Sequence, residues 1–158
     1  MTFPVSLTGA IDVPSQGMTA QSRDRVELAI SDWLVASKAT QVTVSAEGVK
    51  FVAGLFRFVL NTNILVPFNS GTISVMAQPQ TLRVEYTLSC RLMLAVTSAI
   101  AAFTGVFVVA FAIKDGAWFV LVVPVIMWTW LFGMNYLLGW ARIRFALKQV
   151  AQQALKKR

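Results

Sequence analysis

Histidine does not occur in this chain. Its absence removes the commonest general base, the commonest side-chain ligand of zinc and haem, and the usual ligand of chlorophyll. Cysteine occurs once, at Cys90. A single thiol forms no internal disulfide and no thiolate cluster for a metal. Lying where the first half meets an apolar run, it is either a small semi-buried residue or a palmitoylation site. Acids are scarce too: Asp12, Asp24, Glu27, Asp32, Glu47, Glu85 and Asp115. No two are spaced as a catalytic or metal-binding pair, and Glu27 and Asp32, five apart on a helix, are poorly placed to share a ligand. There is no P-loop, no GxSxG and no GxGxxG, and serines and threonines have no base beside them. The expectation is a protein that is not an enzyme and has no cofactor or metal site.

Charge is also sparse. Charged residues make up 13% of the chain, against about a quarter in an ordinary soluble domain. The deficit is concentrated in two runs. Leu92–Ile113 reads LMLAVTSAIAAFTGVFVVAFAI, and Ala117–Ala141 reads AWFVLVVPVIMWTWLFGMNYLLGWA. As a helix the first rises about 33 Å, against a hydrocarbon core of about 30 Å. Runs of this length read as membrane spans rather than core helices. Only Lys114–Gly116 joins them, so they form an antiparallel hairpin over residues 91–141, with spans at about 92–113 and 117–140.

The flanking cations set the orientation. Arg83 and Arg91 precede the first span, and Arg142, Arg144, Lys148, Lys156, Lys157 and Arg158 follow the second; the connecting turn has only Lys114, beside Asp115. The N-terminus shows no basic n-region and no long apolar h-region. Residues 1–90 are therefore expected on the side where they are made, in an inner (cytoplasmic) membrane protein with two spans and both termini cytoplasmic. Trp118 and Trp140, near opposite ends of the second span, suit an interfacial aromatic pair. Much of the net charge of +7 flanks the spans, where anionic headgroups supply the counter-charge. No interleaved basic and aromatic motif points to nucleic acid, and none is expected as a partner.

The first half is read as an extended segment, residues 1–21, and a helix-plus-sheet domain, residues 22–90. Ser22–Lys38 carries Val26, Ala29, Ile30, Trp33, Leu34 and Ser37 at helical spacing, with Arg23, Arg25, Glu27 and Asp32 opposite. Asp24 with Glu27, or Ser22, caps its start. The period then drops to two. Val42, Val44 and Ala46 alternate with polar residues, Glu47-Gly48 suits a hairpin turn, and a strand runs from Val49 to about Leu60, with Gly54 as a bulge. Thr72–Gln78 and Thr81–Ser89 make a second hairpin around Pro79, and Leu82, Val84, Tyr86 and Leu88 share one face. The predicted fold is an α+β domain, one amphipathic helix on a four-stranded antiparallel sheet. So small a domain is marginal alone.

Candidate contact residues come from what is left over. The loop Asn61–Asn69 carries Ile64, Leu65, Val66 and Phe68, which either pack over the open end of the sheet or touch a partner or lipid. Ser98, Ala101, Ala102 and Gly105 make a small-residue strip on the first span, suited to receive large side chains of the second. Trp128 and Trp130 lie too deep for an interfacial belt and diverge by about 200°. At least one meets lipid, another subunit or a bound group. Asn135 is expected to bond a backbone carbonyl or a neighbouring helix, and Pro124 to bend the second span.

Residues 142–158 make a basic amphipathic helix that continues the second span into the cytoplasm or along the headgroups. Ile143, Leu147, Val150 and Ala154 form one face, and the cations are available for anionic lipid or an acidic partner. The function expected is a non-catalytic accessory or structural subunit of a larger inner-membrane complex, such as a respiratory or photosynthetic one, in contact with other membrane subunits and lipids. A stand-alone lipid-binding or membrane-shaping module is the alternative. A small homo-oligomeric channel or transporter ranks last, because neither span has an ionisable lining residue.

Overall fold

The computed structural model of this protein describes residues 5–14, 20–53, 65–115 and 122–156. Its elements, in chain order, are β1 (Ser6–Pro14), α1 (Ala20–Ala36), β2 (Gln41–Ser45), β3 (Gly48–Val52), β4 (Ser70–Ala77), β5 (Thr81–Ser89), α2 (Arg91–Asp115) and α3 (Val122–Lys156). The strands form one antiparallel sheet in the order β1-β5-β4-β3-β2.

The alternation predicts four strands, and the described residues form five. The fifth is β1, within the segment expected to be merely extended; it pairs with β5 over its whole length, from Ser6↔Ser89 to Pro14↔Thr81. Its inward set is Leu7, Gly9, Ile11 and Val13. The glycine breaks the apolar pattern because the Tyr86 ring fills its place. A β-carbon at position 9 would collide with the Tyr86 hydroxyl.

The other strands differ less from expectation. β5 falls on the predicted residues, and β4 starts two residues early. The β2–β3 turn is Ala46-Glu47, one residue before the predicted pair, since Ser45 faces Gly48. Gly48 opens β3 at φ +122°, and a β-carbon there would strike the Ile73 carbonyl. β3 ends at Val52; the predicted continuation, with Gly54, lies outside the described residues.

α1 is displaced two residues toward the N-terminus of its predicted range, which puts Ser22, Asp24 and Glu27 inside the helix rather than at its cap. Glu27 is buried instead of facing outward, and its carboxylate accepts from Arg23 Nε at 2.8 Å. The helix closes with Ala39 N–H on the Leu34 carbonyl and Lys38 N–H on the Val35 carbonyl, a Schellman arrangement with Lys38 at φ +63°.

One face of the sheet carries the core. Val26, Ile30 and Leu34 of α1 meet Val49, Phe51, Ile73, Val75, Leu82, Val84 and Leu88. The core is completed by an element predicted to lie apart from it. Ile143, Leu147, Ala151 and Ala154 of α3 belong to the same cluster, packed against α1 and β1. The basic C-terminal helix is therefore the second helix of the α+β layer. Burying Ile143 and Leu147 contributes about 1.5–3 kcal/mol each.

The opposite face of the sheet is polar. Threonines and serines recur there strand by strand, as in the row Thr8, Thr87, Thr72, Lys50 and Thr43.

Candidate interface where the helical pair meets the sheet

α2 follows β5 after Cys90 alone, and α3 is one helix of 35 residues, about 52 Å long. Both are long and apolar enough to cross a membrane, and little of their apolar stretches is covered by the rest of the molecule. In their most apolar windows only 6% of α2 and 11% of α3 is buried. The core helix of a soluble domain is mostly buried.

The two helices run antiparallel, since Ser98 meets Trp128 while Gly105 faces Pro124. Trp128 Nε1 donates to Ser98 Oγ at 3.0 Å, and its ring stacks on Phe132, which in turn meets Tyr136. This i, i+4 ladder runs from the α2 contact down to the core, where Tyr136 and Met93 pack. Gly105, beside the Pro124 ring, and the half-buried Ala101 share the α3-facing side of α2, whereas Ala102 is exposed. Trp130 diverges from Trp128 and is 65% exposed. On α2, Phe103 and Phe107 form an exposed edge-to-face pair. Asn135 donates to its own helix, at the Leu131 carbonyl. Pro124 lies near the start of the described part of α3, with its ring beside Gly105.

The loop before β4 is divided. Leu65 and Phe68 are buried in the core, and Val66 is exposed. Pro67 and Phe68 rest on Gly139 of α3, where a β-carbon would come within 3.1 Å of both rings. Core packing thus accounts for Leu65 and Phe68, and Val66 alone remains on the surface; Ile64 lies outside the described residues. No pattern in the sequence marks Gly139 as the seat of that loop.

Cations collect at this junction. Arg91 opens α2, and Arg142, Arg144, Lys148 and Lys156 project from the exposed side of α3; Lys157 and Arg158 lie outside the described residues. The Arg144 guanidinium sits 5.0 Å from the centre of the Trp140 ring, a cation–π arrangement. Two depressions flank the junction. A groove of about 550 Å³ separates β1 from α3, with Asp12 on one wall and Trp140, Arg144, Phe145 and Lys148 on the other. A cleft of about 750 Å³ lies on the polar face of the sheet and ends at Arg91. Sequence reasoning names Arg91 for topology only. The serines and threonines that line this cleft are missed, because a strand's outward hydroxyls look like ordinary solvent-facing positions.

Burial pushes the Cys90 thiol up from 9.0 to about 11, so it is a poor nucleophile. Among the described residues no three His, Cys, Asp or Glu side chains group to hold a metal. No protein-family model, curated protein or solved structure matches the chain.

Proposed function

We propose that this chain is a non-catalytic accessory or structural subunit of a larger inner-membrane assembly. α2 and the first half of α3 are its two spans, and the sheet and both chain ends are cytoplasmic. Its partners are other membrane subunits and lipids. The observation that carries this reading is the division of labour along α3. Its first half exposes Ile126, Trp130 and Leu137, while the same unbroken helix supplies Ile143, Leu147 and Ala151 to the domain core. Soluble monomers rarely expose contiguous apolar patches beyond a few hundred Å². A bilayer covers such a surface, and the deep exposed tryptophan and phenylalanines offer a neighbouring subunit rigid side chains to pack on. One helix shared by span and domain fixes the sheet against the bilayer, as suits a part that presents set faces to neighbours.

Gentle detergent extraction followed by native mass measurement tests the subunit reading. The expected species is heavier than 17.4 kDa and contains other polypeptides; a lone 17.4 kDa chain would overturn it. Alkaline carbonate should leave the chain in the membrane pellet, and release would overturn the anchoring. For orientation, a cysteine placed at Lys114 should react from outside intact cells and one at Lys148 only after permeabilisation.

A further inference from the structure

The polar cleft and the basic groove make different offers. In the groove, Asp12 opposes Arg144 and Lys148. Among the described residues the cleft has no acid in its wall: beyond Ser6 and Asn69, its polar side chains are four hydroxyls on two adjacent strands, Ser70, Thr72, Thr87 and Ser89, with Lys50 and Arg91. None of the four hydroxyls bonds to another described residue, and Arg91 has no acidic partner among them. Lys50 is held by Glu47 at 2.6 Å, outside the cleft, in an exposed pair that a ligand can compete for.

Position gives the ligand its second half. Arg91 is the last charge before the apolar run of α2, so the cleft opens where acyl chains would end and phosphates begin. We propose that it binds the headgroup of an anionic phospholipid whose headgroup is a polyol. The phosphate lies at Arg91, the acyl chains run along α2, and the polyol crosses the hydroxyls of β5 and β4 toward Lys50 on β3. Two strand spacings, about 10 Å, separate β5 from β3, a length that a glycerol or inositol headgroup and two long cationic side chains fill together. Hydroxyls without partners suit a ligand that both donates and accepts, and the absence of acid suits its negative charge. This inference rests on the membrane reading above, and it fixes the class of lipid that the reading leaves open.

The test uses the full chain in phosphatidylcholine nanodiscs with and without phosphatidylglycerol, and native mass spectrometry to count retained lipids. Phosphatidylglycerol should be retained in preference to phosphatidylcholine. Arg91→Gln should cut the preference about fivefold, the effect of one basic residue at a membrane surface. Glu47→Gln should raise it about twofold by freeing Lys50 from an exposed pair. Thr72→Val with Thr87→Val should lower it while leaving the charge unchanged, and Arg25→Gln, exposed on α1 across the sheet from the cleft, should leave it as it was. No preference, or equal losses from Arg91→Gln and Arg25→Gln, would overturn the site with the chain still in the nanodisc. A chain that never enters the nanodisc would overturn the membrane reading instead. Tight calorimetric binding of free glycerol 3-phosphate to the detergent-solubilised chain would overturn the lipid as the source of the phosphate.

Discussion

Tyr86 is fully enclosed beneath β1, and its hydroxyl has no hydrogen-bond partner among the described residues. An unsatisfied buried polar group costs about 1–3 kcal/mol. Tyr86→Phe keeps the ring under Gly9 and removes that cost, so melts in detergent should show unchanged or higher stability, by about 1 kcal/mol. A clear loss would mean that the hydroxyl has a partner. Cys90, at the exit of β5, is a second enclosed group, and its thiol is displaced upward to about 11 by burial. Folding therefore favours the protonated thiol. That contribution is whole below the ordinary thiol range, near pH 9, and is lost as pH rises toward 11. Burial also raises the Tyr86 hydroxyl, which acts in the same direction above pH 10. The melting temperature should fall over this window, and the fall should be smaller in Cys90→Ala.

Among the elements, α3 shows what periodicity can and cannot say. The spacing of Ile143, Leu147, Val150 and Ala154 marks an apolar face, but a lipid surface and a protein core ask for the same pattern. Only the fold shows that α1 and β1 cover it. β5 was fully legible because its alternation is unbroken. β1 was not, because Gly9 leaves a gap that Tyr86 fills from the next strand. The pair of long apolar helices was legible from length and composition alone, whereas the cleft was not, since register decides which hydroxyls become neighbours. Gly139 gives this scale its prediction. Pro67 and Phe68 press on it within 3.1 Å of a β-carbon position, so Gly139→Leu should lift the loop and cost about 1–3 kcal/mol by overpacking. Faster proteolysis near Leu65 would report the lifted loop, and an unchanged pattern would count against the contact.

At the scale of the whole molecule, the two halves of the chain are not separable. Removing α3 strips Ile143, Leu147, Ala151 and Ala154 from the core. The two large side chains alone contribute about 3–6 kcal/mol, a large part of the 5–15 kcal/mol that usually holds a domain together. A fragment of residues 1–90 should therefore show no cooperative thermal transition. Adding residues 139–158 in trans should restore part of it, and a fragment that folds alone would contradict the shared core.

The unbroken α3 also behaves as a lever. Its lower arm is gripped by whatever surrounds its apolar half, and its upper arm is wedged between α1 and β1. Tilting a rod of about 52 Å by about 10° carries its tip sideways by about 9 Å. A thinner or thicker bilayer, which helices accommodate by leaning, would in this way swing the hydroxyl-lined face of the sheet across the surface beneath it.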